Sequence, residues 1–103
     1  DINRSNNDGN TSLYIALQYG HLEIVKFLIE KGADINKSNN DGNTPLYIAS
    51  LYGHLKIVKF LIEKGADINK SNNNGNTPLY IASYYRRLEI VKFLIEKGVE
   101  INK

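Results

Sequence analysis

The chain has 103 residues, 42% of them hydrophobic, and a formal net charge of +2. So small a positive excess gives no case for nucleic acid or an anionic membrane surface as partner, and no apolar run approaches the roughly 18 residues of a spanning helix. There is no cysteine, which excludes disulfides and thiolate chemistry and suits a reducing, intracellular (cytoplasmic) compartment.

The sequence repeats itself. The string from Asp34 to Ala49 returns from Asp67 to Ala82 with one change, Asp41 to Asn74. The same phase begins at Asp1 and restarts at Glu100, so the period is 33 residues. One domain, 1–103, divides into units at about 5–37, 38–70 and 71–103. Such a period marks stacked supersecondary units, none of which can bury its apolar face alone. The domain either stands by itself or is a piece of a longer array.

In chain order, the first unit opens on a polar turn ending at Asn10, and Thr11-Ser12 starts a helix predicted over 12–19. Gly20-His21 breaks it, and a second helix follows over 22–31. The second unit is the clearest. Gly42 sits in the turn Asn39-Asn40-Asp41-Gly42-Asn43, free to take positive φ. Thr44 can cap a helix over 45–52, with Pro45 where a missing N–H costs nothing. After Gly53-His54, Leu55, Val58, Leu61 and Ile62 form the apolar stripe of a helix over 55–64, which Gly65 ends. The third unit repeats this over 78–85 and 88–97, but Arg86-Arg87 replaces Gly-His. If the left-handed turn persists there, Arg86 carries a cost of about 1–2 kcal/mol.

The segments Gly42-Asn43-Thr44-Pro45-Leu46-Tyr47-Ile48-Ala49, Gly53-His54-Leu55 and Leu61-Ile62-Glu63-Lys64-Gly65-Ala66-Asp67 resemble the ankyrin repeat, and the resemblance covers the whole chain. It implies an all-α solenoid of stacked antiparallel helix pairs with projecting hairpin-like loops. It also implies a protein–protein recognition role, with partners along the loop tips and the first helices, on the concave side. Tyr14, Tyr47 and Tyr80 stand where the family typically has His.

Chemistry finds no support. The two histidines, His21 and His54, occupy equivalent positions one unit apart. Adjacent units sit about 10 Å apart, too far for one metal ion held by bonds near 2 Å. An inter-unit hydrogen bond is the expected role for these rings. The glycines form no phosphate loop, and the acidic residues recur singly. No catalytic, cofactor or metal residue is expected, and the chain is not expected to be an enzyme.

The residues before each break are more informative: Gln18-Tyr19, Leu51-Tyr52 and Tyr84-Tyr85. By the resemblance they face the partner, and aromatic residues suit binding hot spots. Arg86 and Arg87 add a cationic candidate, and the loop tips add Asn40, Asp41, Asn43, Asn73, Asn74 and Asn76 as amide and carboxylate contacts. The expected function is a protein-binding module. The alternative is an engineered or structural repeat scaffold, to which near-identical units would also belong. The resemblance further suggests Asn36 and Asn69 as positions that asparaginyl hydroxylases modify. Finally, neither terminal unit carries a polar outer face on its second helix. The expectation is therefore that the chain is a piece of a longer array or that copies stack end to end, the open faces including some of Ile24, Val25 and Leu28 at one end and some of Ile90, Val91 and Leu94 at the other.

Overall fold

A computed structural model describes residues 1–98; the restart at Glu100 lies outside the described residues. Within them are six helices, α1 (Ser12–Gln18), α2 (Leu22–Glu30), α3 (Pro45–Leu51), α4 (Leu55–Glu63), α5 (Pro78–Tyr84) and α6 (Leu88–Glu96). No strand occurs among the described residues. The fold is the all-α repeat solenoid that the sequence implies, with helix ends one residue or so short of the expected ranges.

Each first helix starts the same way. Thr11, Thr44 and Thr77 have extended backbone, and their hydroxyls accept the N–H of Tyr14, Tyr47 and Tyr80 at 3.3, 3.2 and 3.1 Å. That satisfies one of the helix's free donors. Each first helix also stops the same way. Gly20 at φ 73° donates to the Leu17 carbonyl while His21 donates to Ala16, which is the paired closure of a Schellman stop. Gly53 and His54 repeat the two bonds to Ser50 and Ala49. Arg86 and Arg87 repeat them to Ser83 and Ala82, with Arg86 at φ 61°. The third turn is neither lengthened nor rebuilt: Arg adopts the glycine conformation.

Helices pair within a unit, α1 with α2, α3 with α4 and α5 with α6. Between units, first helices pack on first helices and second on second. The core runs through the stack along Leu13, Ala16, Leu46, Ala49, Val58 and Leu61, continuing to Ala82 and Leu94. Ala49 and Ala82 are fully buried, and their small side chains admit the neighbouring helix. The first helices approach one another more closely than the second helices do, although they are shorter. The row α1–α3–α5 is therefore the inner, tighter side of the array.

The end faces differ from expectation in their members. Ile24 is exposed, but Val25, Ile90 and Leu94 are buried, and Leu28 and Val91 are half-buried. Val25, Ile90 and Leu94 belong to the buried core, which the terminal units keep covered.

Candidate protein-binding surface

The loops are built by asparagine. The Asn39 side-chain oxygen accepts the N–H of Asp41 and of Asn43 at 3.0 and 3.1 Å, and its amide donates to the Asn10 side chain at 3.1 Å. Asn72 repeats all three bonds with Asn74, Asn76 and Asn43. An Asn that hydrogen-bonds the backbone two residues on is the usual Asx device for holding a tight turn. Asn39 and Asn72 thus matter most to loop shape. Their sequence signal was present as an Asn placed before each turn glycine.

The same loops are tied to one another. Asn40 donates its backbone N–H to Asp8 at 3.0 Å and its amide to the Asn7 carbonyl at 2.9 Å. Asn73 does the same to Asp41 and Asn40. Of the loop-tip candidates, then, Asn40, Asn43 and Asn73 have polar groups engaged inside the array. Asp41 and Asn74 are exposed, and Asn76 is half-buried.

Tyr47 is buried at 5% exposure, and its hydroxyl meets the side chains of Asn76 and Asn72 in the next loop. Burial pushes its pKa up, opposed by those two hydrogen bonds. The Tyr14 pKa is also raised, chiefly by burial and then by its neighbours Tyr52, Asp41 and Asp8. The long tyrosine side chain at this position reaches from one unit to the loop of the next.

At the mid-unit break the joints differ. His54 Nε2 donates to the Gln18 carbonyl at 3.1 Å, the inter-unit bond expected for it. Its equivalent in the third unit, Arg87, donates Nε and Nη2 to the Leu51 carbonyl at 3.2 and 3.1 Å. The Arg87 guanidinium is thereby held against the neighbouring unit. His21 is exposed and stacks on Tyr19, with ring centroids 6.2 Å apart.

The remaining candidates lie at the ends of the first helices. Tyr19, Tyr52 and Tyr85 each form the C-cap of α1, α3 and α5, and all three are exposed. Gln18 and Leu51 are half-buried, whereas Tyr84 is 67% exposed. Tyr84 meets Tyr80 in a stack at 6.3 Å and Tyr85 edge-on at 5.0 Å. The third unit therefore concentrates three exposed rings beside the exposed Arg86, where the first unit offers Tyr19 and Gln18. This surface has large apolar area with polar tips. No group of metal-ligating side chains is found among the described residues, nor any helix long and apolar enough to cross a membrane.

The profile described as "Ankyrin repeats (3 copies)" matches residues 1–72 and 36–103, which together span the whole chain. A 33-residue stretch, 32% of the chain, is 52% identical to the human protein named Ankyrin repeat and SAM domain-containing protein 1A. The match spans 3% of that protein's length.

Proposed function

The chain belongs to the ankyrin-repeat family, and from that premise we propose that it binds a protein partner through the exposed ends of its first helices. Ankyrin repeats generally mediate protein–protein interaction and are typically non-enzymatic. The observation that carries the finer reading is the tyrosine surface. Tyr19, Tyr52, Tyr84 and Tyr85 stay exposed while the backbone beneath them is fixed by the helix stops and inter-unit bonds. Rigid presentation of aromatic rings lowers the ordering cost of binding. Gln18, Leu51 and Tyr84 differ between otherwise matching units and so tune selectivity. Asp41, Asn74 and Arg86 border the surface with polar groups, while Asn40, Asn43, Asn73 and Arg87 hold its shape.

Affinity capture from a cell lysate tests this reading. A specific protein should be retained by the natural chain, lost with the double substitution Tyr84→Ala and Tyr85→Ala, and kept with Lys59→Ala on α4. Truncating one central ring should cost about 2 kcal/mol in affinity. Equal losses from the tyrosine and Lys59 variants would sink the assignment.

A further inference from the structure

The second helices stand further apart than the first, and the space between α2 and α4 is an open groove. Two hollows of about 420 and 280 Å³ make it up, joined at Lys26 and Phe60. Its apolar floor is half-buried, with Leu22 and Ile29 from α2 and Phe60 from α4. Leu22 and Ile29 lie on one helix, about 10 Å apart along its axis. Both walls are helices of the stack itself, so the groove does not depend on either end of the array.

The walls carry ammonium groups. Lys26 of α2 and Lys64 at the end of α4 each stand 5.8 Å from the centre of the Phe60 ring. Lys56 lines the same groove at the start of α4. All three are exposed, and none has a carboxylate within ion-pair distance among the described residues, where the ion pair found is Lys92 with Glu89 at 3.7 Å. Glu30 is the acid set against them. Lys59 and Glu63 border this groove and the next, and their charges cancel.

The groove between α4 and α6 repeats the shape, with a hollow of about 420 Å³ beside Ile62 and Phe93. Its charge differs. Lys59, Lys97 and Glu63 take the places of Lys26, Lys64 and Glu30, but Glu89 stands where the first groove has Lys56. Those residues sum to zero, and Glu89 is already paired with Lys92. A single difference between otherwise matching helices thus leaves the α2–α4 groove with a positive excess.

We propose that the groove between α2 and α4 docks an acidic amphipathic helix of a partner protein, and that Lys56 makes this groove the one selected. A helix laid along the groove presents apolar side chains at i, i+3 or i+4, and i+7, which matches the span from Leu22 to Ile29. Carboxylates beside those anchors meet Lys26, Lys56 and Lys64, ammonium groups with no internal carboxylate to give up. Complementary charge of this kind selects the partner and the register more than it adds raw affinity. None of these residues belongs to the tyrosine surface, so the two readings fail independently.

A display library of helical peptides of about 18 residues tests the proposal, with leucine fixed at i, i+3 and i+7 and glutamate, glutamine or lysine allowed beside them. Selection on the full chain should enrich glutamate. A selected peptide, followed by fluorescence anisotropy, should bind once per chain and more weakly as salt rises. Lys56→Glu, which installs the residue of the other two units, should weaken binding by about tenfold or more, with circular dichroism unchanged. Glu89→Lys should create a second, equivalent site, so that two peptides bind per chain. Tyr84→Ala with Tyr85→Ala should leave peptide binding as it was. The proposal is overturned if selection yields no binder or no preference for glutamate, if Lys56→Glu binds as tightly as the natural chain, or if Glu89→Lys adds no site. Co-sedimentation with phosphatidylserine vesicles that depends on Lys56, without peptide binding, would assign the groove to a lipid surface and overturn it equally.

Discussion

The joint between the first and second units and the joint between the second and third share their loop bonds but differ at the mid-unit break. Asn40 and Asn73 make the same pair of donations one unit apart. At the break, one imidazole nitrogen serves the first joint and two guanidinium nitrogens serve the second. A carbonyl with two lone pairs accepts either arrangement, so this position asks only for a donor of sufficient reach. The preceding position is stricter. Gly20 and Gly53 combine positive φ with a neighbour's side chain where a Cβ would sit, whereas Arg86 takes positive φ with an exposed side chain of its own. Backbone conformation alone tolerates a side chain at modest cost; conformation together with close packing does not.

The largest expected effect sharpens that distinction in the loops. Gly42 and Gly75 share φ +80°, but a Cβ on Gly42 would lie 2.8 Å from the Asn73 backbone nitrogen, while Gly75 has nothing within 4 Å. Gly75→Ala should cost only the left-handed penalty, about 1–2 kcal/mol. Gly42→Ala should add an overpacking cost of about 1–3 kcal/mol, because backbone cannot swing away. Urea denaturation of the two variants checks the difference, and equal losses would mean that the loops move apart freely.

Arg87→Ala should come next. It leaves the Leu51 carbonyl without its two donors, at a cost of about 1–2 kcal/mol for a partly exposed charged hydrogen bond. Arg87→His should recover most of that loss, since His54 makes the equivalent tie with one nitrogen. If Arg87→His is no better than Arg87→Ala, the arginine acts through its packing over Gly53 and not through the carbonyl.

Much of this was legible from the residues. The period, the Thr caps and the glycine stops specify the helices, because each signal is local to a few residues. Which loop amides face solvent was not legible. Asn40 and Asn73 spend their donors on the preceding unit, and only the stacking distance between units decides that. Arg86-Arg87 looked like one cationic patch. The Schellman turn sends the two side chains to different ends, leaving Arg86 exposed while Arg87 bonds to the unit before it. Of the residues expected on the outer faces Ile24 is exposed, but Val25, Ile90 and Leu94 are buried, because a helical stripe tells which residues are apolar and not which neighbour each one meets.

Tyr47 and Tyr80 differ in burial, and the burial of Tyr47 has a consequence in pH. Tyr47 is buried among Asn72 and Asn76, and its pKa is raised above the ordinary 10.0. The folded state therefore holds the phenolic proton more tightly than the unfolded chain does. Stability should be fully present below pH 10 and fall as pH rises past that value toward the folded pKa. Tyr47→Phe should cost about 1 kcal/mol at neutral pH, through the lost hydrogen bonds, and should flatten the alkaline decline. Tyr80→Phe, at the exposed equivalent, should leave stability at neutral pH unchanged. Thermal melts from pH 7 to 11 check the pair.

The smallest effect concerns Arg86 itself. Its φ of 61° lies in the region where an L side chain crowds its own backbone, and both Schellman bonds are nevertheless formed. The strain is thus retained in the folded state. Glycine removes the Cβ penalty but gives the unfolded chain more freedom to lose, so the two contributions partly cancel. Arg86→Gly should stabilise by about 0.5–1 kcal/mol, measured at low micromolar concentration so that association between copies does not contribute. A loss of stability would mean that the Arg86 side chain stabilises the fold by more than its backbone position costs.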